Sequence, residues 1–359
     1  MEVGILGLAG SGKTTLFKLL TSGASAQGDG VKKGRPTVGI GRVADPRLDL
    51  LSTLFSPRKT TAAVVRFVDV PTVECERRES SSLNTPELRT MDALLVVLRA
   101  HDNEAVPHPL GSIDPFRDLQ RIEEELILQD QIVVERRLER LQRDLSKRPS
   151  GQLAAEAELL QRCLTVLGEV RPLRSERFSD DEKTRLRGFE FLSAKPILAV
   201  VNTGENDATC DCCSDPRWNA WLADPATART TVCATLEQEI AELGPADAAE
   251  FMAELGIADR AIDRVAREAY GLLGLISFFT VGEDECRAWS IPSDTIALEA
   301  ARAIHSDISR GFIRAEVVDH ATLLELGSLA ACKQEGALRL EGKEYVVQDG
   351  DVVHYRFAV

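Results

Sequence analysis

The segment Gly7-Leu8-Ala9-Gly10-Ser11-Gly12-Lys13-Thr14 constrains this chain more than any other part of it. It fits the pattern G-x-x-x-x-G-K-[ST], and both flanks have the right character. Val3-Gly4-Ile5-Leu6 is a short apolar run that reads as a buried strand, and Thr15-Leu16-Phe17-Lys18-Leu19-Leu20 reads as the first turns of an amphipathic helix. A strand, a glycine-rich loop and a helix in that order form a cradle for phosphate. The glycines let backbone N–H groups turn inward around an anion, and the helix N-terminus adds its dipole. In such a loop Lys13 reaches the β- and γ-phosphates and the Thr14 hydroxyl ligates Mg²⁺. The expected phosphate site is therefore Gly7, Gly10, Ser11, Gly12, Lys13, Thr14 and Thr15, with Lys13 and Thr14 as its catalytic members.

The rest of the chain alternates strand-like and helical runs, the pattern of a parallel α/β sheet. Val38 to Val43, Ala62 to Val70, Ala93 to Leu98 and Ile197 to Val201 read as strands, and Pro46 to Phe55 reads as a helix. Ligands bind beyond the carboxyl ends of strands in such sheets. Gly7–Thr14, Asp69 and Asn202 all fall there. From Pro115 to about Leu192 the alternation breaks into long charged helices with narrow apolar stripes. Val134, Leu138, Leu141 and Leu145 mark one arm, Ala157, Leu160, Leu164 and Leu167 the next, with Arg148-Pro149-Ser150-Gly151 turning between them. This predicts an antiparallel, coiled-coil-like helical hairpin projecting from the sheet domain. Ser179-Asp180-Asp181-Glu182 is a capping box opening a further helix. Beyond Ser277 short alternating stretches, 311–317 and 343–353, predict a small α+β module with a Gln348-Asp349-Gly350-Asp351 turn.

A length of 359 residues allows two or three domains. No apolar run approaches the roughly 18–20 residues that cross a bilayer, and Met1-Glu2 leads straight into the first strand. The expectation is a cytoplasmic protein with no membrane partner. Eight cysteines without a secretory signal argue for reduced thiols. Cys210, Cys212 and Cys213 are either exposed thiols of a polar loop or a redox-responsive cluster; a zinc site would need a fourth nearby ligand. A net charge of −14 argues against a general affinity for nucleic acid. The local exception is Arg136, Arg137, Arg140, Arg143, Lys147 and Arg148 near the tip of the hairpin, which read either as an RNA-contacting surface or as a solvated helix face.

Several words identify a resemblance: Val43-Ala44-Asp45-Pro46-Arg47-Leu48-Asp49, Lys195-Pro196, Tyr270 through Thr280, Ile304-His305-Ser306-Asp307, Arg310 through Val317, and Leu340 through Tyr345 continuing to Phe357. The chain is similar to the Obg-like ATPases of the YchF type along nearly its whole length. The resemblance implies a nucleotide-binding G domain at residues 1–114 and 195–276, a helical arm at 115–194 inserted in it, and a TGS domain, ubiquitin-like, at 277–359. It implies an ATP-preferring P-loop NTPase associated with ribosomes and translation, with ATP, or GTP, and Mg²⁺ as ligands. Asn202-Thr203-Gly204-Glu205 then reads the base, with Cys233-Ala234-Thr235 on its other side, and Thr14 and Asp69 hold the metal.

The chain departs from the family pattern near the γ-phosphate. Asp69-Val70-Pro71-Thr72 lacks the glycine of Asp-x-x-Gly, Lys33 stands where a switch threonine is expected, and Val73 cannot polarise a water. The glycine-rich stretch that follows in relatives is Glu74-Cys75-Glu76-Arg77-Arg78-Glu79 here. The expectation is slow Mg²⁺-dependent hydrolysis of ATP or GTP by a monomer that meets ribosome or RNA through the arm tip and the TGS domain. The alternative is a non-hydrolysing adaptor in which nucleotide is structural.

Overall fold

The computed structural model describes residues 1–21, 37–70, 86–148, 150–205 and 214–358. The Ser22–Pro36 stretch with Lys33, the words from Pro71 to Glu79, and Cys210, Cys212 and Cys213 lie outside the described residues. The strands, in chain order, are β1 (Glu2–Gly7), β2 (Thr37–Val43), β3 (Lys59–Thr61), β4 (Ala63–Asp69), β5 (Ala93–Arg99), β6 (Ile197–Asn202), β7 (Thr227–Val232), β8 (Leu275–Thr280), β9 (Glu285–Pro292), β10 (Phe312–Asp319), β11 (Arg339–Glu341) and β12 (Asp351–Phe357). The chain separates into two compact units, residues 1–39 with 66–265, and residues 40–65 with 266–359.

The first sheet has the order β2-β4-β1-β5-β6-β7, and β1–β4, β1–β5, β5–β6 and β6–β7 pair in parallel. Its central strands are continuous apolar runs because both faces are covered. All seven residues of β5 and all six of β6 are buried. Leu94, Val96, Ile197 and Val201 pack with Phe116, Leu119, Ile122 and Trp218 into one core. The parallel register brings the ends of β1, β4 and β6 to one edge: Ile5 lies beside Asp69, Gly7 beside Val97, and Arg99 beside Asn202.

The insertion is a helix of 33 residues, Pro115–Lys147, followed by Gly151–Gly168. At 1.5 Å per residue the first helix is about 50 Å long. Val134, Leu138 and Leu141 interlock with Leu160, Cys163 and Leu167, and Arg137 clamps Glu156 through two hydrogen bonds of 2.7 and 2.9 Å. All of the expected stripe residues except Leu145 thus pack in the seam of a helical hairpin. The hairpin is tied at its root by Asp130, which is fully buried and accepts the N–H groups of Leu192 (3.0 Å) and Ser193 (2.7 Å). Burial pushes the Asp130 carboxyl up, against those N–H groups and the Arg89 charge. The capping box forms: Glu182 N–H donates to Ser179 Oγ, and Ser179 N–H to the Glu182 carboxylate.

The second unit carries a mixed sheet of order β11-β10-β12-β8-β9-β3. Ala297, Ala300 and Ala301 turn the small-residue face of helix Ala297–Ile304 onto Phe278, Val317, Val353 and Tyr355. The word Asp45-Pro46-Arg47 is structural here. Asp45 caps helix Pro46–Phe55, while Arg47 binds both Asp45 oxygens, reaches Asp349 at 2.7 Å, and lies 5.3 Å over the Phe279 ring. Gly350, at φ +91°, leaves room for Arg47 and His320, which a Cβ there would crowd. Only the last three residues of the expected 343–353 alternation become strand, as the start of β12. The residues before it spend their backbone on the start of helix Ala297–Ile304: Ala297 N–H donates to Tyr345 C=O at 2.7 Å, and Val347 N–H to Thr295 C=O at 3.0 Å.

Candidate functional site

β1 ends at Gly7, the loop turns through Gly10 at φ +74° and Gly12 at φ +92°, and the helix starts at Lys13. Those two positions need glycine because L side chains rarely adopt positive φ. Gly7 is required for a different reason. A Cβ there would come within 2.8 Å of the Val97 carbonyl oxygen. The backbone is therefore free to close around an anion, and the first-turn N–H groups of helix Lys13–Thr21 open onto the loop. Ser11 Oγ is buried in the loop without a hydrogen-bond partner, a polar atom left for something the loop would enclose.

Lys13 is 7% exposed, and its ammonium pairs with Asp69 while donating to the Val70 carbonyl at 2.7 Å. A cation, a carboxylate and the open N–H groups of a helix start thus share one strand edge. This set fits a magnesium–triphosphate ligand: the lysine and N–H groups match phosphate oxygens. Mg²⁺ takes one or two protein oxygens beside those of phosphate, and the Thr14 hydroxyl and Asp69 are the residues here that could supply them. Thr14 is exposed and Thr15 partly so. Among the described residues no group of three or more His, Cys, Asp or Glu could hold a metal by itself.

Asn202, 4% exposed, joins the loop to the opposite end of the site. Its Nδ2 donates to the Ser11 carbonyl at 3.1 Å, and its Oδ1 accepts from Ala234 N–H at 3.1 Å. Asn202 therefore does more than end a strand. Thr203 is buried, with its N–H on the Val232 carbonyl at 2.8 Å. Cys233 is half-buried at the start of helix Ala234–Glu242, where burial raises its thiol pKa. Glu205 and Thr235 are exposed beside them.

Sequence reading passed over Arg99. It is 2% exposed and donates to the carbonyls of His101 (3.0 Å), Val106 (2.8 Å) and Asn103 (3.2 Å), folding 101–106 against the phosphate loop. A Cβ on Gly10 would stand 2.9 Å from Val106. The visible clue was an arginine closing an otherwise wholly apolar strand.

Comparison with known proteins places the chain in a family. The Bacillus subtilis "Ribosome-binding ATPase YchF" is 37% identical over 370 residues, covering 100% of both chains. The chain belongs to the YchF and Obg-like ATPase family. The Escherichia coli O157:H7 ribosome-binding ATPase YchF is 34% identical, covering 100% of this chain and 99% of its own. The rice Obg-like ATPase 1 is 33% identical, covering 100% and 92%. A family model named YchF-GTPase_C, described as "Protein of unknown function (DUF933)", matches residues 275–358. Among solved structures, the Schizosaccharomyces pombe YchF GTPase superposes with a TM-score of 0.86 at 26% identity, covering 99% of this chain and 97% of that one. The fold is that of a YchF P-loop NTPase with an added C-terminal domain. Among the described residues no helix is long and apolar enough to cross a membrane.

Proposed function

We propose that this chain is a ribosome-associated, cytoplasmic nucleotide-binding protein that hydrolyses ATP slowly with Mg²⁺; its YchF relatives are named ribosome-binding ATPases. The single observation that carries the reading is the Asn202 side chain bridging the phosphate loop and Ala234, because it joins a phosphate end and a base end into one site. Lys13 leaves Asp69 for the phosphates and neutralises their charge; Asp69 and Thr14 are then available to the metal. Mg²⁺, when bound, orients the phosphates and offsets their charge. Gly7, Gly10, Ser11, Gly12 and Thr15 line the phosphate end. Asn202, Thr203, Glu205, Cys233, Ala234 and Thr235 line the base end.

ATP is preferred over GTP. The Ala234 N–H that could greet a guanine 6-oxo group is already donated to Asn202 Oδ1. Glu205 stands where guanine binders carry the shorter aspartate, with no lysine after Asn202. Competition against a fluorescent ATP analogue tests this, and GTP winning by about tenfold or more, roughly 1.4 kcal/mol, overturns it.

The arm and the C-terminal module are the contacts to ribosome or RNA. Arg136, Arg140, Arg143, Lys147 and Arg148 are all exposed near the hairpin's turn, which supports the arm tip as a phosphate-seeking surface on an acidic chain. We propose the division G domain 1–114 and 195–276, arm 115–194 and TGS domain 277–359, acting as a monomer; residues 40–65, within the first by sequence, pack in the second compact unit. The second reading, a non-hydrolysing adaptor, is favoured by one feature, the missing glycine in Asp69-Val70-Pro71-Thr72. Phosphate release from bound ATP separates the two.

A further inference from the structure

Between Arg229 and Arg260 the chain carries Glu237, Glu239, Glu242, Asp247, Glu250, Glu254 and Asp259, and no lysine, arginine or histidine. One of these carboxylates is spent inside. Glu237, 3% exposed in helix Ala234–Glu242, accepts Ala261 N–H at 2.6 Å and Arg260 Nη2 at 3.0 Å. Glu239, Glu242, Asp247, Glu250 and Glu254 are exposed, and among the described residues none of these five is in an ion pair. The last three lie along helix Pro245–Glu254, which has no buried residue. Beside them runs an apolar stripe of helical spacing: Ala248, Phe251 and Met252 are each partly exposed, and Leu255 is 50% exposed. Leu243, at the end of the preceding helix, is 39% exposed.

Local physics works against this helix. So short a helix is marginal in water without packing. Asp247, Glu250 and Glu254 repel one another at i, i+3 and i+4 spacing. Glu254 also stands in the last turn, where the helix dipole favours a cation. The ends hold the helix instead. Pro245 opens it at the first helical position, and Gly256, at φ +68°, lets Ile257 N–H close on the Met252 carbonyl at 2.8 Å. Arg260 and Ala261, pinned on Glu237, fix the chain just beyond. The result is a negative, partly apolar surface anchored at both ends, whose charges lower the helix's own stability and pair with nothing in the chain.

We infer that helix Pro245–Glu254 and the end of helix Ala234–Glu242 dock a lysine- or arginine-rich segment of another protein. Its cations meet Glu239, Glu242, Asp247, Glu250 and Glu254, and its apolar side chains cover Leu243 and Leu255. Charge complementarity selects this occupant. Five exposed carboxylates repel the phosphates of RNA, and a second copy of this chain, at net charge −14, brings more of the same sign. The surface is thus opposite in character to the hairpin tip, where the exposed charges are arginine and lysine. The inference goes beyond the nucleotide reading and does not depend on it.

Fluorescence anisotropy on the full chain tests this with a labelled synthetic peptide of lysine and leucine, its leucines at i, i+3, i+4 and i+7. Leu243→Ser with Leu255→Ser removes the apolar contact, and Glu250→Lys with Glu254→Lys reverses two charges on the helix. Glu335→Lys with Glu344→Lys reverses two exposed charges in the C-terminal module and gives the same net charge. All six positions are exposed, and urea unfolding followed by Trp218 and Trp221 emission checks that the variants at 243, 250, 254 and 255 keep their fold. The leucine pair and the Glu250–Glu254 pair should each weaken the peptide by about tenfold or more, the scale of lost leucine burial and of two attractions turned to repulsions. The Glu335–Glu344 pair should stay within about twofold of wild type. A wild type that does not bind the peptide, a leucine pair that binds like wild type, or a Glu335–Glu344 pair weakened as much as the Glu250–Glu254 pair overturns the inference. So does a labelled oligouridylate RNA that binds wild type and loses affinity in the leucine pair, because the surface would then take nucleic acid.

Discussion

Replacing Asn202 by aspartate changes one NH₂ group to an oxygen, yet the geometry predicts more damage than truncation to alanine. In Asn202→Ala the Ser11 carbonyl and the Ala234 N–H both lose their partners at a position only 4% exposed. Each group left buried and unsatisfied costs about 1–3 kcal/mol, the lost hydrogen bond included. A loss of about 2–6 kcal/mol follows for the two, toward the lower end where water or relaxation relieves them. Asn202→Asp keeps the acceptor for Ala234 but sets a carboxylate oxygen where a donor had stood 3.1 Å from the Ser11 carbonyl oxygen. Repulsion between the two oxygens and an unpaired buried charge put its cost above that of alanine. Burial must raise the pKa of the new carboxyl above its unfolded value. The deficit is therefore full above the folded pKa and fades as pH falls through it toward the unfolded one. Urea unfolding followed by Trp218 and Trp221 emission, in a Trp289→Phe background, reports the first unit. Titration with magnesium–ATP reports the site. The expected order in both is wild type, alanine, aspartate. An aspartate variant as stable as wild type, or a better ATP binder than the alanine variant, would refute the claim that Asn202 Nδ2 holds the phosphate loop.

Lys13→Ala should remove triphosphate binding. Losing one partner of a close charge pair costs about 2–5 kcal/mol, so calorimetry should show ATP affinity down by at least roughly thirtyfold with the fold retained; unchanged affinity sinks the phosphate-loop assignment. Arg47→Met should destabilise the second unit by about 1–3 kcal/mol, a discounted figure because the guanidinium is 26% exposed, since it strands Asp45 and Asp349 without their shared cation. Trp289 emission during urea unfolding measures it, and an unshifted midpoint contradicts the structural role given to that word.

The phosphate loop and the strand ends were legible in the sequence because their causes are local. Glycines where φ is positive, and unbroken apolar runs such as Leu94–Leu98, announce themselves within a few residues. Helix Pro46–Phe55 was readable from its Asp45-Pro46 start, and the Ser179 capping box from its spacing. The features that escaped depend on partners far away. Asn202 and Ser11 are 191 positions apart, and Glu237 meets Arg260 across 23. Strand β3 has three residues and is defined only by its parallel partner β9. The 343–350 stretch alternates like a strand, yet the start of helix Ala297–Ile304 claims its backbone groups, which no local pattern could reveal. Nothing local marks Arg99 as buried, yet three carbonyls of the following segment surround it.

One site, from Lys13 to Asn202, is proposed to bind and slowly cleave ATP, and single-turnover hydrolysis of labelled ATP and GTP, with and without Mg²⁺ and with and without ribosomes, decides it. ATP should bind at least as well as GTP, cleavage should require both Mg²⁺ and Lys13, and the isolated protein should turn over below the roughly 1–100 per second of kinase-like phosphoryl transfer. ATP that fails to bind, or cleavage that survives in Lys13→Ala, overturns the proposal.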